Sequence, residues 1–243
     1  TGLAGYIAGD VVHWMRATSE SFSGGTAFIF ISLFVTMLLA ILLGMGMPTV
    51  PAYLNVALLM GPLLVGLGVS MFTAHMFVFY FAVASAITPP VAIAAFAASS
   101  ITKTDPMVTG LAAVKAGIVM FIIPYIFAFY PELLLIKEAQ LDPNSQTGAF
   151  LPGYDGLIHW GPLGWLCARI ALALYFIASM LAAFDRMRIA PFEQVVRGFI
   201  AVMLVWATPE VYWVGIVGGI IVILWHAKKA QNIQVDKPGL NTA

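Results

Sequence analysis

Charge is what this sequence has least of. From residue 21 to residue 102 there is no Asp, Glu, Lys or Arg, and His75 is the one histidine in that stretch. Charged residues make up 9% of the 243, against about 25% in an ordinary globular chain. A soluble core has no use for such a run. A bilayer core of about 30 Å takes about 20 helical residues per crossing, so the run supplies several passes. The composition therefore implies an all-α integral membrane protein. Eleven basic residues balance eleven acidic ones, which removes the electrostatic basis for a nucleic-acid partner. The single cysteine, Cys167, excludes a disulfide framework or a cysteine-rich metal site within the chain. An initiator Met and a basic leader followed by a short apolar stretch are missing from Thr1-Gly2-Leu3, so the chain is expected to be the C-terminal portion of something longer.

What is present is apolar sequence punctuated by glycine and proline. Residues 1–26 carry a weak amphipathic character that suits a membrane surface. Ala27 to Gly44 reads as a helix, and then Gly44-Met45-Gly46-Met47-Pro48-Thr49-Val50-Pro51 breaks it, because proline lacks the N–H and clashes with the preceding turn. Apolar sequence resumes from Ala52 to Leu67, slightly short of a full span. Met71 to Ile87 is apolar again, Thr88-Pro89-Pro90 interrupts it, and Val91 to Ile101 continues it. The pattern predicts a hairpin over 27–67 and one helix over 71–101 broken by a double proline. A polar link from Thr102 to Val114 reads as an interfacial helix or arm. Residues 116–136 read as a span kinked at Pro124. The polar stretch 137–160 separates this first module, 1–136, from a C-terminal membrane extension and tail, 161–243. That extension reads as a span from Gly161 to Phe184, a basic loop through Arg197, apolar sequence from Gly198 to Ala227 broken at Thr208-Pro209-Glu210, and a polar, frayed tail from Lys228.

Charge orients these segments. If the break at 44–51 is the tip of a re-entrant hairpin, Lys103, Lys115, Arg186, Arg188 and Arg197 gather on one side, against Arg16 and Lys137 on the other. The positive-inside bias makes the first side cytoplasmic and leaves the loop 137–160 and the hairpin opening periplasmic. Two full crossings give the same count. Re-entrance is favoured by the break itself, which holds no charged residue to anchor it among headgroups. The same bias prefers a hairpin turning at Thr208-Pro209, which returns Lys228 and Lys229 to the cytoplasmic side.

Backbone freed from helical pairing at mid-membrane is costly unless it is buried in protein or lines a wet cavity, where its oxygens become ligands. A hard cation such as Na⁺ suits such oxygens. The carbonyls around Gly44, Gly46 and Ala84 to Thr88, with the hydroxyls of Thr49, Ser85 and Thr88, offer them without a carboxylate. Helix N-termini beginning after Pro48 and Pro90 would turn positive ends toward the same depth, which suits a carboxylate substrate. A plain proline kink is the competing account of each break. Two breaks, each pairing Pro with Gly or Thr, fit a discontinuous-helix site better. His75 reads as a buried or interfacial histidine, Arg169 as a contact to a neighbouring helix or a snorkelling side chain, and the tryptophans as belt anchors. Ser99 and Ser100 back the site or bond their own helix carbonyls. No HExxH, GxSxG or GxxxxGK[ST] occurs and the acids sit at segment edges, so no enzyme is expected. An ion channel or a membrane scaffold without transport is the alternative to a carrier.

These stretches resemble the large membrane (permease) subunit of TRAP transporters, the tripartite ATP-independent periplasmic transporters. The resemblance is carried by Gly44-Met45-Gly46-Met47-Pro48-Thr49-Val50-Pro51-Ala52-Tyr53, by Ser85-Ala86-Ile87-Thr88-Pro89-Pro90-Val91, by Thr104-Asp105-Pro106-Met107 with Gly110, and by Pro124 through Pro131-Glu132-Leu133-Leu134. The GMGMPT form and the extra C-terminal module look like the fused-permease branch associated with TAXI-type receptors. The resemblance implies an elevator-type secondary transporter in a bacterial or archaeal cytoplasmic membrane, importing a small organic anion. It implies Na⁺ as the coupling ion and no other cofactor. Its partners would be a periplasmic TAXI-type solute-binding protein and a small membrane subunit or its fused equivalent. This chain would hold the second inverted repeat, with Gly44, Gly46, Pro48, Thr49, Ser85, Thr88, Pro89 and Pro90 as ion- and substrate-binding positions, and Gly44, Gly46, Ser85 and Thr88 as Na⁺ candidates. The more common large-subunit pattern has an acidic residue shortly after the first glycine of the hairpin motif, where this chain has Met-Pro-Thr.

Overall fold

The computed structural model describes residue 10 and residues 26–136, 157–206 and 208–235. Most of the amphipathic segment, most of the loop 137–160 and the tail beyond 235 lie outside them. The described residues are helical throughout apart from turns and one isolated bridge between Phe184 and Arg188. The chain divides into two compact units, Thr1–Ile158 and His159–Ala243.

The described residues of the first unit form the helices α1 (Thr26–Gly44), α2 (Thr49–Gly66), α3 (Met71–Ala84), α4 (Ile93–Thr102), α5 (Pro106–Ala116) and α6 (Ile118–Phe129). Short 3₁₀ turns at Ser85–Ile87 and Pro131–Leu134 follow α3 and α6. Helix α2 starts at Thr49, directly after Pro48 and three residues before the apolar sequence that resumes at Ala52. Pro51 falls in its first turn, where the N–H that proline lacks has no intrahelical partner anyway. At 18 residues α2 is long and apolar enough to cross a membrane, so helix length gives no argument for re-entrance. Ser70 caps α3 by accepting from the Thr73 N–H at 3.2 Å. Asp105 caps α5 by accepting from Val108 at 2.9 Å. The core is built on Phe77, Phe81, Leu33, Met60 and Leu64, all buried. Tyr125 of α6 packs edge-on to Phe77 at 5.4 Å, and Phe121 lies 6.1 Å from Phe81. That register runs α6 antiparallel to α3.

A 45° bend lies between α5 and α6, at Gly117, a position the sequence does not single out. Pro124 sits inside α6. The polar arm and the span that follows are thus one bent pair, from Pro106 to Phe129. Its bend faces the break after α3: a Cβ on Gly117 would lie 3.5 Å from Ile87 Cδ1, and one on Gly110 would lie 3.0 Å from Pro89 Cγ.

The second unit holds α7 (Trp160–Ala182), α8 (Pro191–Val205) and α9 (Pro209–Val235). Trp165 meets Trp213 at 5.3 Å, Arg169 reaches the end of α8 and His226 reaches its start. Helix α8 therefore runs opposite to both α7 and α9. The turn after Val205 makes the hairpin that the charge bias prefers and returns Lys228 and Lys229 to the end that holds Arg186 and Arg188. Two expectations are corrected. Residues 191–197 are helix instead of basic loop, because Arg197 is fully buried against Glu193. The segment 228–235 continues α9 in place of a frayed tail; Lys, Ala and Gln are strong helix formers. Arg169 contacts the neighbouring helix, its guanidinium donating to Leu204 O at 2.9 Å and to Trp206 O at 2.9 Å while lying 3.8 Å over Tyr212. Those carbonyls would otherwise stand open at a helix end. Close approach of α9 to α8 depends on Gly215, whose Cβ would meet Met203 Cβ at 3.1 Å and Leu204 N at 3.2 Å. Backbone cannot step aside, so Gly215→Val is expected to destabilise this unit by about 1–3 kcal/mol, read from thermal unfolding in detergent.

Candidate functional site

The site residues fall on the two interruptions of the first unit. The first is the tip between α1 and α2, closed by Met45 N–H donating to Ile41 O at 3.1 Å and Met47 N–H to Gly44 O at 3.2 Å. Gly46 adopts φ +74°, a conformation that side chains disfavour. The second interruption runs from Ser85 to Ala92, including the cis peptide Pro89-Pro90.

The two interruptions touch. A Cβ on Gly44 would lie 2.6 Å from Ser85 Oγ and 2.9 Å from Ser85 Cβ, so only a glycine admits this contact. On Gly46 it would lie 3.8 Å from Val91 Cγ1. Gly44 and Ser85 are buried; Thr49, Thr88 and Pro89 are half-buried; Gly46, Pro48 and Pro90 are exposed. The structure thus brings Gly44 to Ser85 and Gly46 to the segment that follows Pro90. Thr49 stands in the first turn of α2. Ser85 Oγ donates to Ala82 O at 2.7 Å, and Thr88 Oγ1 donates to Ala84 O at 2.8 Å. A hydroxyl has one donor and two lone pairs, so both oxygens keep lone pairs for a cation after spending the proton. Ser99 and Ser100 bond Phe96 O, a carbonyl of their own helix.

Neither helix that begins at the interruptions has a side-chain cap: Pro48 precedes α2 and Ala92 precedes α4. The contrast with Ser70 and Asp105 on α3 and α5 leaves open N–H groups that favour negative charge at these two starts. Helix α4 starts three residues after Pro90, later than the proline alone indicates. One residue pair near the hairpin has no counterpart in the sequence reading. Tyr53 OH and His75 Nδ1 are 2.8 Å apart and tie α2 to α3. No group of three or more potential metal-ligating His, Cys, Asp or Glu side chains occurs among the described residues.

Three helices, Thr49–Gly66, Trp160–Ala182 and Pro209–Gln231, are long and apolar enough to cross a bilayer, and the bent pair Pro106–Ala116 with Ile118–Phe129 makes a fourth when taken as one. These define a multi-pass, all-α membrane protein. Residues 6–139, more than half the chain, match the family model of the tripartite ATP-independent periplasmic transporter, DctM component, and the chain belongs to that family. It is a membrane component of a TRAP transporter, in a family of transporter components and not of enzymes. Membership implies a periplasmic binding protein as partner. No curated protein and no solved structure matches the chain. Residues 140–243 lie beyond the matched range.

Proposed function

We propose that this chain carries the second inverted repeat of an elevator-type permease that imports a small organic anion, coupled to Na⁺. The solute would be delivered by a periplasmic TAXI-type binding protein, in a bacterial or archaeal cytoplasmic membrane, and the C-terminal unit would be the extension of a fused permease. The tip between α1 and α2 is the re-entrant end of the hairpin. The small membrane subunit or its fused equivalent completes the transporter.

The observation that supports this best is the Gly44 to Ser85 contact, which sets the last residue of α1 beside the first residue of the 3₁₀ turn after α3, the points where the two interruptions begin. Oxygens of Gly44, Gly46, Ser85 and Thr88 then surround a cation with no carboxylate needed, as a hard ion allows. The uncapped starts of α2 and α4, near Pro48, Thr49, Pro89 and Pro90, supply the complementary positive ends for a carboxylate. A stored cation beside an anion-binding helix start makes each ligand favour the other's binding.

In proteoliposomes holding the complete transporter and its binding protein, Thr88→Ala is expected to raise the sodium concentration needed for half-maximal uptake about tenfold, the loss of about 1.4 kcal/mol. Unchanged sodium activation would remove Thr88 from the site. Ionic currents in the absence of the binding protein would point to a channel instead.

A further inference from the structure

The second unit carries its exposed basic residues at one end. Helix α7 has 23 residues and rises about 35 Å, enough to cross a hydrocarbon core of about 30 Å. Trp165 near its start meets Trp213 near the start of α9 at 5.3 Å, so the tryptophans mark one interface and the turn after α7 lies at the other. Arg186 and Arg188 stand on that turn. Lys228 and Lys229 of α9 come to the same end, because the neighbouring His226 is 2.8 Å from Glu193, and Glu193 shares Arg197 with Asp185 of the turn.

The turn is closed by its own backbone. Asp185 N–H donates to Met187 O at 3.1 Å and Ile189 N–H to Ala183 O at 2.9 Å, beside the bridge between Phe184 and Arg188. Arg186 and Arg188 are both exposed on it, as are Lys228 and Lys229 on α9. The nearby acids are already spent: Asp185 and Glu193 both bind Arg197, which is fully buried. Among the described residues, none of the four exposed bases forms an ion pair. Apolar rings accompany them. Lys229 Nζ lies 4.9 Å over the exposed Trp225 ring, and Phe184 and Phe192 are exposed at the same end.

We propose that Arg186, Arg188, Lys228 and Lys229 form a binding site for the headgroup phosphate of anionic phospholipid. A guanidinium grips phosphate oxygens with two parallel N–H bonds, and an ammonium adds a compact charge. Basic clusters directly beyond a membrane helix attract anionic lipid in this way. The rings decide between lipid and a soluble anion: Trp225, Phe184 and Phe192 give acyl chains an apolar surface that free phosphate would not use. Lipid held there fastens α9 to the turn between α7 and α8. The site stands apart from the sodium reading, since every member lies outside residues 6–139.

The test offers the solubilised full chain equal amounts of phosphatidylglycerol and phosphatidylcholine and counts the retained lipid by native mass spectrometry. With each base near an anionic surface worth about fivefold, the wild type is expected to favour phosphatidylglycerol by at least about tenfold. The variant carrying Arg186→Gln, Arg188→Gln, Lys228→Gln and Lys229→Gln is expected to retain both lipids equally. No preference in the wild type would leave the patch to an acidic protein partner and overturn the proposal. Lys103→Gln with Lys115→Gln, which removes exposed bases of the first unit, is expected to keep the preference. A loss there equal to that in Lys228→Gln with Lys229→Gln would mean diffuse charge in place of a site, and overturns it. Inorganic phosphate in excess is expected to leave the lipid bound; displacement would assign the site to a soluble anion. Should the fourfold variant fail to fold, melting temperature in nanodiscs of each lipid decides. The wild type is expected to melt several degrees higher in phosphatidylglycerol, and Lys228→Gln with Lys229→Gln to lose more than half of that gain. Equal gains overturn the site.

Discussion

Gly44→Ala is expected to cut sodium-driven uptake at least tenfold while the protein still inserts in the membrane. The added Cβ would lie 2.6 Å from Ser85 Oγ and 2.9 Å from Ser85 Cβ. Ser85 has little freedom to yield, because it is buried and its hydroxyl is committed to Ala82 O at 2.7 Å. Overpacking of this kind costs about 1–3 kcal/mol. The cost falls on the contact that keeps the hairpin tip against the broken helix, and each 1.4 kcal/mol is worth about tenfold. The double variant Gly44→Ala with Ser85→Gly removes the clash and is expected to recover part of the sodium affinity, though without the serine oxygen. Uptake by proteoliposomes with the binding protein present reads both. Wild-type rates in Gly44→Ala would mean that the contact carries no function.

Arg197→Met is expected to have the largest effect on stability. Its guanidinium is the common partner of Glu193, Asp185 and Ser179. Removing it leaves two carboxylates facing each other in a space with little water, a loss of about 3–5 kcal/mol. Thermal unfolding and protease resistance of the second unit report it. Replacing Glu193 and Asp185 by Gln and Asn together with Arg197→Met is expected to restore much of the loss, since a cluster emptied of charge no longer needs a counterion. A single Arg197→Met as stable as wild type would show that the cluster is wet.

Much of the first unit is legible in the sequence because proline and glycine act locally. The break at Thr88-Pro89-Pro90 follows from missing donors and steric clash, and the end of α1 at Gly44 from the glycines beyond it. The start of α2 at Thr49, directly after Pro48, is legible too, since the first turn of a helix tolerates Pro51. The 45° bend at Gly117 has no local mark of that kind: it sits where Ile87 and the double-proline turn approach. That is tertiary packing, absent from any local pattern. The Gly44 to Ser85 contact is nonlocal too, though both residues stand out by their place in the breaks.

The second unit is less legible. Glu193 and Arg197 look like surface charges when counted along the chain, but their four-residue spacing puts them on one helix face, where they neutralise each other and bury. His226, among the last apolar residues before Lys228, gives no sign in sequence of facing Glu193. Arg169 is the intermediate case. Its place inside an apolar span signals a partner, while only the structure identifies that partner as the carbonyl end of α8.

The most direct measurement is a density map of the whole transporter in lipid, recorded with and without sodium. It is expected to show Gly44–Pro48 and Ser85–Ala92 side by side within the hydrocarbon layer, with density for an ion among the oxygens of Gly44, Gly46, Ser85 and Thr88 in sodium alone. The tip lying among the headgroups, or the two stretches separated with no ion between them in sodium, would contradict the account.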